Sequence, residues 1–216
     1  MFLELNDLLN ASPDRAEPGK LTLLCDAETD GSFLVHHFLS FYLKANCKVC
    51  FVALGQSFSH YNIVGQKLGV SLTTARERRQ LVFLEGLRSA VDVFFRAEGE
   101  AHPLQFLREA KAASLQPLYE FVREALKPVD QREAAWKSPV LLVDDLSVLL
   151  SLGVGAVAVP DFVHYCRACV CWHGKLRVLW RTPSPPAQRG RSLTFQYKIQ
   201  DKSVSFFAKG MSPAVL

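Results

Sequence analysis

The segment Pro139-Val140-Leu141-Leu142-Val143-Asp144-Asp145 contains four consecutive apolar residues followed by two acids. A short apolar run of this kind is typical of a strand that is buried on both faces, as in a parallel sheet. Similar runs at residues 21–25, 48–54 and 81–84 alternate with segments of helical spacing. This alternation predicts an α/β fold, a mostly parallel sheet flanked by helices.

The remaining elements follow from periodicity and from the positions of Gly and Pro. Helices are predicted at residues 31–44, 61–68, 87–95, 104–112, 115–127 and 156–172, with a short helical piece at 153–155. Further strands are predicted at 176–181, 193–200 and 204–209, the last two joined by a tight turn as antiparallel strands. We expect one domain over residues 1–216, with a basic C-terminal strand region at 173–216.

Composition limits the class of protein. The chain has 216 residues, of which 49% are hydrophobic and 21% charged, and its net charge is +4. These values exclude an intrinsically disordered chain, which combines low hydrophobicity with high net charge. The longest uncharged apolar stretch, residues 146–160, is shorter than the roughly 20 residues of a membrane-spanning helix, and Glu4 and Asp7 do not fit a secretory signal. We expect no membrane contact and a cytoplasmic protein, with the nucleus as a further location.

The charge is unevenly distributed. Residues 173–216 contain eight Lys or Arg and one acid, a net charge of +7, so the rest of the chain carries −3. Such a basic region could contact RNA phosphates through its arginines, or it could consist of ordinary solvated strand faces. The candidate RNA-contact residues are Arg177, Arg181, Arg189 and Arg191.

A strand, a glycine-closed loop and a helix at residues 21–44 form the skeleton of a phosphate-binding loop. Aligned on Gly31, the first glycine of the motif is replaced by Asp26, the lysine by Ser32, and the magnesium-binding Ser or Thr by Phe33. Residues 26–30 also place three carboxylates where a triphosphate would lie, and like charges repel. The degenerate loop predicts that no nucleotide binds.

Asp144 stands where a nucleotidase holds magnesium, at the end of its strand, yet without a phosphate-binding loop it has no substrate to organise. Asp144 and Asp145 are therefore interpreted as structural, and no catalytic residue is predicted. A divergent ATPase that uses Asp144 remains the alternative from the enzyme class.

Two C-x-x-C pairs raise the question of a zinc site. Cys47 and Cys50 begin a strand, where residues three apart point to opposite faces. Cys166 and Cys169 lie in an apolar helical run, where cysteine is a common buried residue. We therefore predict no metal and no cofactor.

Five segments together resemble one known family: LELN at 3–6, KLTLLCD at 20–26, DGSFLVHH at 30–37, PVLLVDDL at 139–146 and QYKIQDKSV at 196–204. They are similar to the family of the sixth subunit of the Elongator complex, in its vertebrate form, and the resemblance extends over nearly the whole chain. It implies a RecA-like fold without working nucleotide motifs, a pseudo-ATPase.

The resemblance also implies partners. These are the fourth and fifth Elongator subunits, in a six-membered ring made of two copies of each, and the remaining subunits through the whole complex. Such a ring binds tRNA and supports wobble-uridine modification, while the chemistry belongs to the third subunit. A stand-alone RNA-binding module is the other alternative.

The chain departs from the family after Trp172. Relatives carry a further apolar strand, an acidic loop and more sheet there, whereas here Trp172 is followed by His173-Gly174 and then directly by Lys175. This join predicts a shortened form that lacks a segment, including a central or near-central strand. An exposed sheet edge and lower stability would follow.

Overall fold

The computed structural model describes residues 3–8, 21–25, 30–95, 102–108, 114–127, 136–173, 177–182, 195–199 and 204–208. Contacts between residues divide the chain into two compact units: residues 17–185, and residues 1–16 together with 186–216. The single domain over residues 1–216 stays a prediction.

The larger unit is built on a parallel sheet. Its strands are β1 (Leu21–Cys25), β2 (Cys47–Ala53), β3 (Leu81–Glu85), β4 (Lys137–Asp144) and β5 (Arg177–Thr182), in the spatial order β1-β5-β4-β2-β3. Every neighbouring pair is parallel. The prediction of an α/β fold with a parallel sheet is confirmed.

Helices connect these strands. They are α2 (Ser32–Lys44), α3 (Phe58–Lys67), α4 (Leu72–Glu77), α5 (Gly86–Phe95), α6 (Gln116–Leu126), α7 (Leu146–Ser151) and α8 (Ala158–His173), while α1 (Leu3–Leu8) belongs to the smaller unit. Within the residues that the structure describes, no helix is both long and apolar enough to span a membrane.

The core lies on both faces of the sheet, because β2 and the apolar part of β4 are buried along their length. On one face, Cys50, Val52 and Leu141 belong to a cluster with α6 and α8. On the other face the ring of Phe51 packs against Tyr61 of α3, with 4.7 Å between ring centroids. Burial on both faces explains why these strands are continuous apolar runs rather than alternating ones.

β5 is the second strand of the sheet and lies between β1 and the central strand β4. Val178 pairs with Leu21 of β1 on one side and with Leu141 of β4 on the other. The expected gap, with unpaired backbone beside the missing segment, is therefore not present among the described strands. The residues that follow the join at Gly174 supply a parallel strand themselves, so the backbones of β1 and β4 have a neighbour between them.

Two helical predictions differ from the structure. Residues 104–112 were predicted as an α-helix, but a short 3-10 helix, Gln105–Arg108, is present, and residues 109–113 lie outside the described ranges. The helical piece at 153–155 is a turn, in which Gly153 has a φ of +87°, and the helix lies one turn earlier as α7. A residue with positive φ favours glycine and interrupts a right-handed helix.

The smaller unit contains α1 and an antiparallel hairpin. Its strands are β6 (Phe195–Ile199) and β7 (Val204–Ala208), paired from Phe195 with Ala208 to Ile199 with Val204. The predicted antiparallel strands are confirmed, while the turn residues Asp201 and Lys202 lie outside the described ranges. The basic region 173–216 is thus divided, since β5 belongs to the larger unit and the hairpin to the smaller one.

Candidate functional site: a strand-end carboxylate and a self-capped helix

Asp144 ends β4 at the carboxyl edge of the sheet. Its side chain is 2% exposed, and Oδ2 accepts a hydrogen bond of 2.5 Å from the hydroxyl of Tyr61. Its backbone oxygen accepts hydrogen bonds from the amides of Leu54 (2.6 Å) and Gly55 (3.3 Å), just beyond β2. A carboxylate is costly to bury unless it is hydrogen-bonded. Asp144 is thus used to tie the ends of β4, β2 and α3 together.

Aromatic rings surround the Tyr61–Asp144 contact. The Tyr61 ring centroid lies 4.7 Å from that of Phe51, 5.2 Å from that of His36 and 5.9 Å from that of Phe83. Tyr61 is 1% exposed and His36 is 8% exposed. The rings exclude water from the hydroxyl–carboxylate hydrogen bond, which strengthens it.

Asp145 has a separate structural role as the N-cap of α7. Its Oδ1 accepts hydrogen bonds from the backbone amide (2.8 Å) and the hydroxyl (2.5 Å) of Ser147. The Asp144–Asp145 peptide bond is cis. An N-capping carboxylate satisfies an amide that would otherwise lack a partner in the first turn.

The N-terminus of α2 is where a phosphate-binding loop would hold its anion. Here the carboxylate of Asp30 accepts hydrogen bonds of 2.9 Å from both the amide and the hydroxyl of Ser32. Gly31 is buried at the N-cap, and Phe33 is half-buried at the position that requires a magnesium-binding hydroxyl. The chain's own carboxylate thus uses a donor that a phosphate would need and repels a second anion. Asp26 lies outside the described residues.

Three of the four cysteines whose side chains the structure describes are core residues. Cys47, Cys50 and Cys166 are buried, and burial raises the pKa of Cys50 to about 12. The Sγ of Cys169 lies 2.9 Å from the hydroxyl of Tyr119. Metals bind the thiolate form, which a raised pKa disfavours. In the part of the chain that the structure describes, no group of three or more His, Cys, Asp or Glu side chains could hold a metal ion.

The structure does not gather the four candidate arginines into one described site. Arg177 and Arg181 lie on β5, at the register positions of Val140 and Leu24, on a strand with neighbours on both sides. Arg189 and Arg191 fall outside the described ranges. RNA contact by these four residues stays a prediction.

A further surface feature was not predicted. Four apolar residues of α5 are spaced i, i+4, i+7 and i+8, which places them on one helix face. All are exposed, by 53, 56, 60 and 86% respectively: Leu87, Val91, Phe94 and Phe95. We call this face the α5 stripe. Periodicity alone reveals the stripe, but only the structure shows that it faces solvent rather than the core.

Comparisons with known proteins agree on one family. The model of the family "Elongation complex protein 6" matches residues 2–173. The human protein named "Elongator complex protein 6" is 66% identical over 266 alignment positions that cover all of both chains. The Xenopus tropicalis protein of the same name is 48% identical over 270 positions, again covering both chains fully.

One solved structure is similar in fold. It is an uncharacterized protein from Pyrococcus horikoshii in complex with an unknown peptide. Its TM-score is 0.54 at 12% sequence identity, and the match covers 97% of this chain and 98% of that one. The predicted fold class, a RecA-like parallel sheet flanked by helices, is confirmed at the level of fold.

The alignments also support the missing segment. The alignment with the human protein has 266 positions against 216 residues here, so at least 50 positions have no residue in this chain. The family match ends at His173, one residue after the predicted join. With most of its length matched by the family model and full-length relatives at high identity, the chain belongs to the Elongation complex protein 6 family.

Proposed function

We propose that this chain is a non-catalytic subunit of the Elongator complex. It assembles with the fourth and fifth subunits into a six-membered RecA-like ring, and the ring binds tRNA and supports wobble-uridine modification by the whole complex. The proposal places the chain in the cytoplasm and in the nucleus. Its family and its fold support the proposal.

One observation carries the non-catalytic part: the chain's own side chains use both groups that an ATPase needs. The strand-end carboxylate of Asp144 is buried and accepts a hydrogen bond from Tyr61. The first turn of α2 donates to Asp30. A phosphoryl-transfer site needs the acid to be open to magnesium and the helix N-terminus open to phosphate. The hydrogen bonds of Asp144 and Asp30 therefore favour a structural role for this edge of the sheet over a catalytic one.

The α5 stripe supports assembly. Its four side chains expose roughly 400–500 Å² of apolar surface, taking about 150–200 Å² for a complete large side chain. A patch of this size on a monomer is often an interaction site. A standard interface buries about 800 Å² on each partner, and the α5 stripe would supply about half of that area. We assign this face to contact with a neighbouring ring subunit.

Titration of the purified chain with ATP and magnesium tests the non-catalytic part. We expect no saturable binding and no phosphate release above buffer, measured beside an active ATPase as the positive control. Saturable binding that Asp144→Asn weakens would contradict the proposal and favour a divergent ATPase.

A further inference from the structure

A groove runs between α6 and α8, on the sheet face that carries the cluster of Cys50 and Leu141. It holds a cavity of about 390 Å³, lined by side chains of both helices. Cavities that bind ligands have volumes of roughly 300–1,000 Å³. We call this feature the α6–α8 groove, and its size is sufficient for a side chain of another molecule.

The α6–α8 groove has an apolar floor and aromatic walls. Leu115 and Phe162 line it and are 5% and 1% exposed. The rings of Tyr119 and Tyr165, one from each helix, lie 5.6 Å apart between centroids. The hydroxyl of Tyr119 lies 2.9 Å from the Sγ of Cys169, a contact that anchors its ring, while Tyr165 is exposed.

The charged side chains of the groove are mostly acidic. Glu120 of α6 and Asp161, in the first turn of α8, both line it and are exposed. Oε1 of Glu120 accepts a hydrogen bond of 2.9 Å from Gln116, whereas the Asp161 carboxylate forms no ion pair or hydrogen bond within the described part of the chain. Two acids and one cation, Arg123, give the described lining a net charge of −1.

Exposed apolar residues adjoin the groove. Ala158 lines it, and the preceding Val157 is 73% exposed. Leu152, in the same connection between α7 and α8, is 46% exposed. Apolar side chains that remain in water beside a cavity are typical of a surface that contacts another protein.

We infer that the α6–α8 groove binds an arginine side chain of a neighbouring ring subunit, with apolar residues of the same segment against Val157. The inference rests on the proposed function and names the chemistry of one contact in the ring. A guanidinium stacks on tyrosine rings and pairs with carboxylate oxygens, and Arg is enriched in protein interfaces whereas Lys is depleted. Arg123 repels a second guanidinium, so we expect the bound arginine on the side of Glu120 and Asp161.

The position of the groove fits a second ring contact. In a ring made of three kinds of subunit, each chain has two different neighbours and needs two separate contact faces. α5 packs against β3, at one edge of the sheet, whereas α8 packs against β5, next to β1 at the opposite edge. The α5 stripe and the α6–α8 groove therefore lie over opposite halves of the sheet, where they can contact different neighbours.

The test measures the affinity of the labelled chain for the fourth and fifth subunits by fluorescence anisotropy. The double variant Asp161→Asn with Glu120→Gln removes both carboxylates and keeps the size of the side chains. We expect the affinity at about 150 mM salt to fall about tenfold, because the partner's guanidinium loses both ionic acceptors.

The matched control is Glu77→Gln with Glu124→Gln. It also removes two exposed carboxylates, from α4 and α6, and neither residue is among those that line the groove. We expect it to keep the parental affinity. An unchanged affinity of the groove variant, or an equal loss in the control, would overturn the inference.

Photo-cross-linking identifies the segment that fills the groove. Tyr165 is replaced by benzoylphenylalanine in the assembled ring, and the cross-linked peptide is identified by mass spectrometry. We expect a segment of the fourth or fifth subunit that contains an arginine. Replacing that arginine by glutamine should reproduce the tenfold loss and add nothing further in combination with the groove variant. A cross-linked segment without arginine, a cross-link to tRNA, or fully additive losses would contradict the inference.

The same preparations separate this inference from the proposed function. If the parental ring forms and the groove variant assembles equally well, the inference alone fails. If the parental chain forms no ring, the proposed function fails and the inference fails with it.

Discussion

The hydroxyl of Tyr61 donates a hydrogen bond to the buried carboxylate of Asp144 at the end of β4. Tyr61→Phe removes this donor and leaves the carboxylate buried. We expect the free energy of unfolding to fall by about 1–3 kcal/mol, as for other buried polar groups that lose a hydrogen bond. Urea unfolding at pH 7 measures the change.

Tyr165→Phe is the control for this experiment. Tyr165 lies on α8 and is 59% exposed. The control should change the unfolding free energy by less than about 0.5 kcal/mol. Equal effects of the two substitutions would show that the Tyr61 hydroxyl does not stabilise the end of β4.

His37 gives the stability a defined pH dependence. It is fully buried on α2, next to the rings of Phe38 and Phe41. Burial lowers the pKa of His37 from 6.5 to about 4. Above pH 6.5 the imidazole is neutral in both the folded and the unfolded chain. Between pH 6.5 and about 4 only the unfolded chain takes up the proton. The free energy of unfolding therefore decreases as the pH is lowered, by up to about 1.4 kcal/mol per pH unit.

The measurement is the free energy of unfolding from pH 7.5 to 4.5. His37→Phe should make the curve less steep in this window than that of the parental chain. A slope that persists in His37→Phe would assign the pH dependence to another group.

At the residue scale, sequence reasoning found local features and missed distant ones. The replacement of the nucleotide motif by Ser32 and Phe33 is visible in the chain order, because a phosphate-binding loop has fixed spacing. The hydrogen bonds from Ser32 to Asp30 span two residues, a local side-chain contact typical of Asp, but they were not predicted. The contact of Tyr61 with Asp144 spans 83 residues, and no local pattern joins them.

The α5 stripe belongs to the scale of elements. We expect Phe94→Ser with Phe95→Ser to weaken co-purification with the fourth and fifth subunits by about tenfold, equivalent to about 1.4 kcal/mol. The reason is that contact with a neighbour removes these exposed rings from water. Quantitative pull-down of the tagged chain measures the loss.

Ile63→Ser is the matched control, because Ile63 is an exposed apolar residue, 55% exposed, on α3 outside the stripe. It should leave co-purification unchanged. Neither variant should alter the unfolding free energy by more than about 0.5 kcal/mol, since all the substituted side chains are largely exposed. Undiminished recovery of both partners by the α5 variant would exclude the stripe from the interface.

The positions of strands were predicted correctly where the chain contains a continuous apolar run. Strands β2 and β4 are continuous apolar runs, because both of their faces are buried, and their predicted positions agree with the structure to within two residues. The helices α4 and α7 were not predicted. Each has six residues, too few for an apolar period to repeat, and each begins with a side-chain cap, from Ser71 and Asp145 respectively.

On the scale of the whole molecule, the join after Trp172 has a different consequence from the one expected. At least 50 positions of the human relative have no counterpart here, yet β5 lies between β1 and β4. The strand itself was predicted at 176–181, but its place between β1 and β4 was not, because the neighbours of a parallel strand are distant in the chain. The parallel sheet is thus continuous from β1 to β3 among the described strands.

The net charge of residues 1–172 conceals a basic stretch within them. The −3 assigned to residues 1–172 contains the stretch 44–80, with a net charge of +5. Hydrogen bonds from Lys44 to Leu68 and from Gln80 to Leu43 join the ends of the helices in this stretch.

Assembly into the ring is the central claim, and the mass of the complex tests it most directly. The chain is co-expressed with the fourth and fifth Elongator subunits, and the purified particle is analysed by size-exclusion chromatography with light scattering. We predict a single particle that contains two copies of each of the three subunits. Elution of this chain alone as a monomer, while the other two subunits elute without it, would contradict the account.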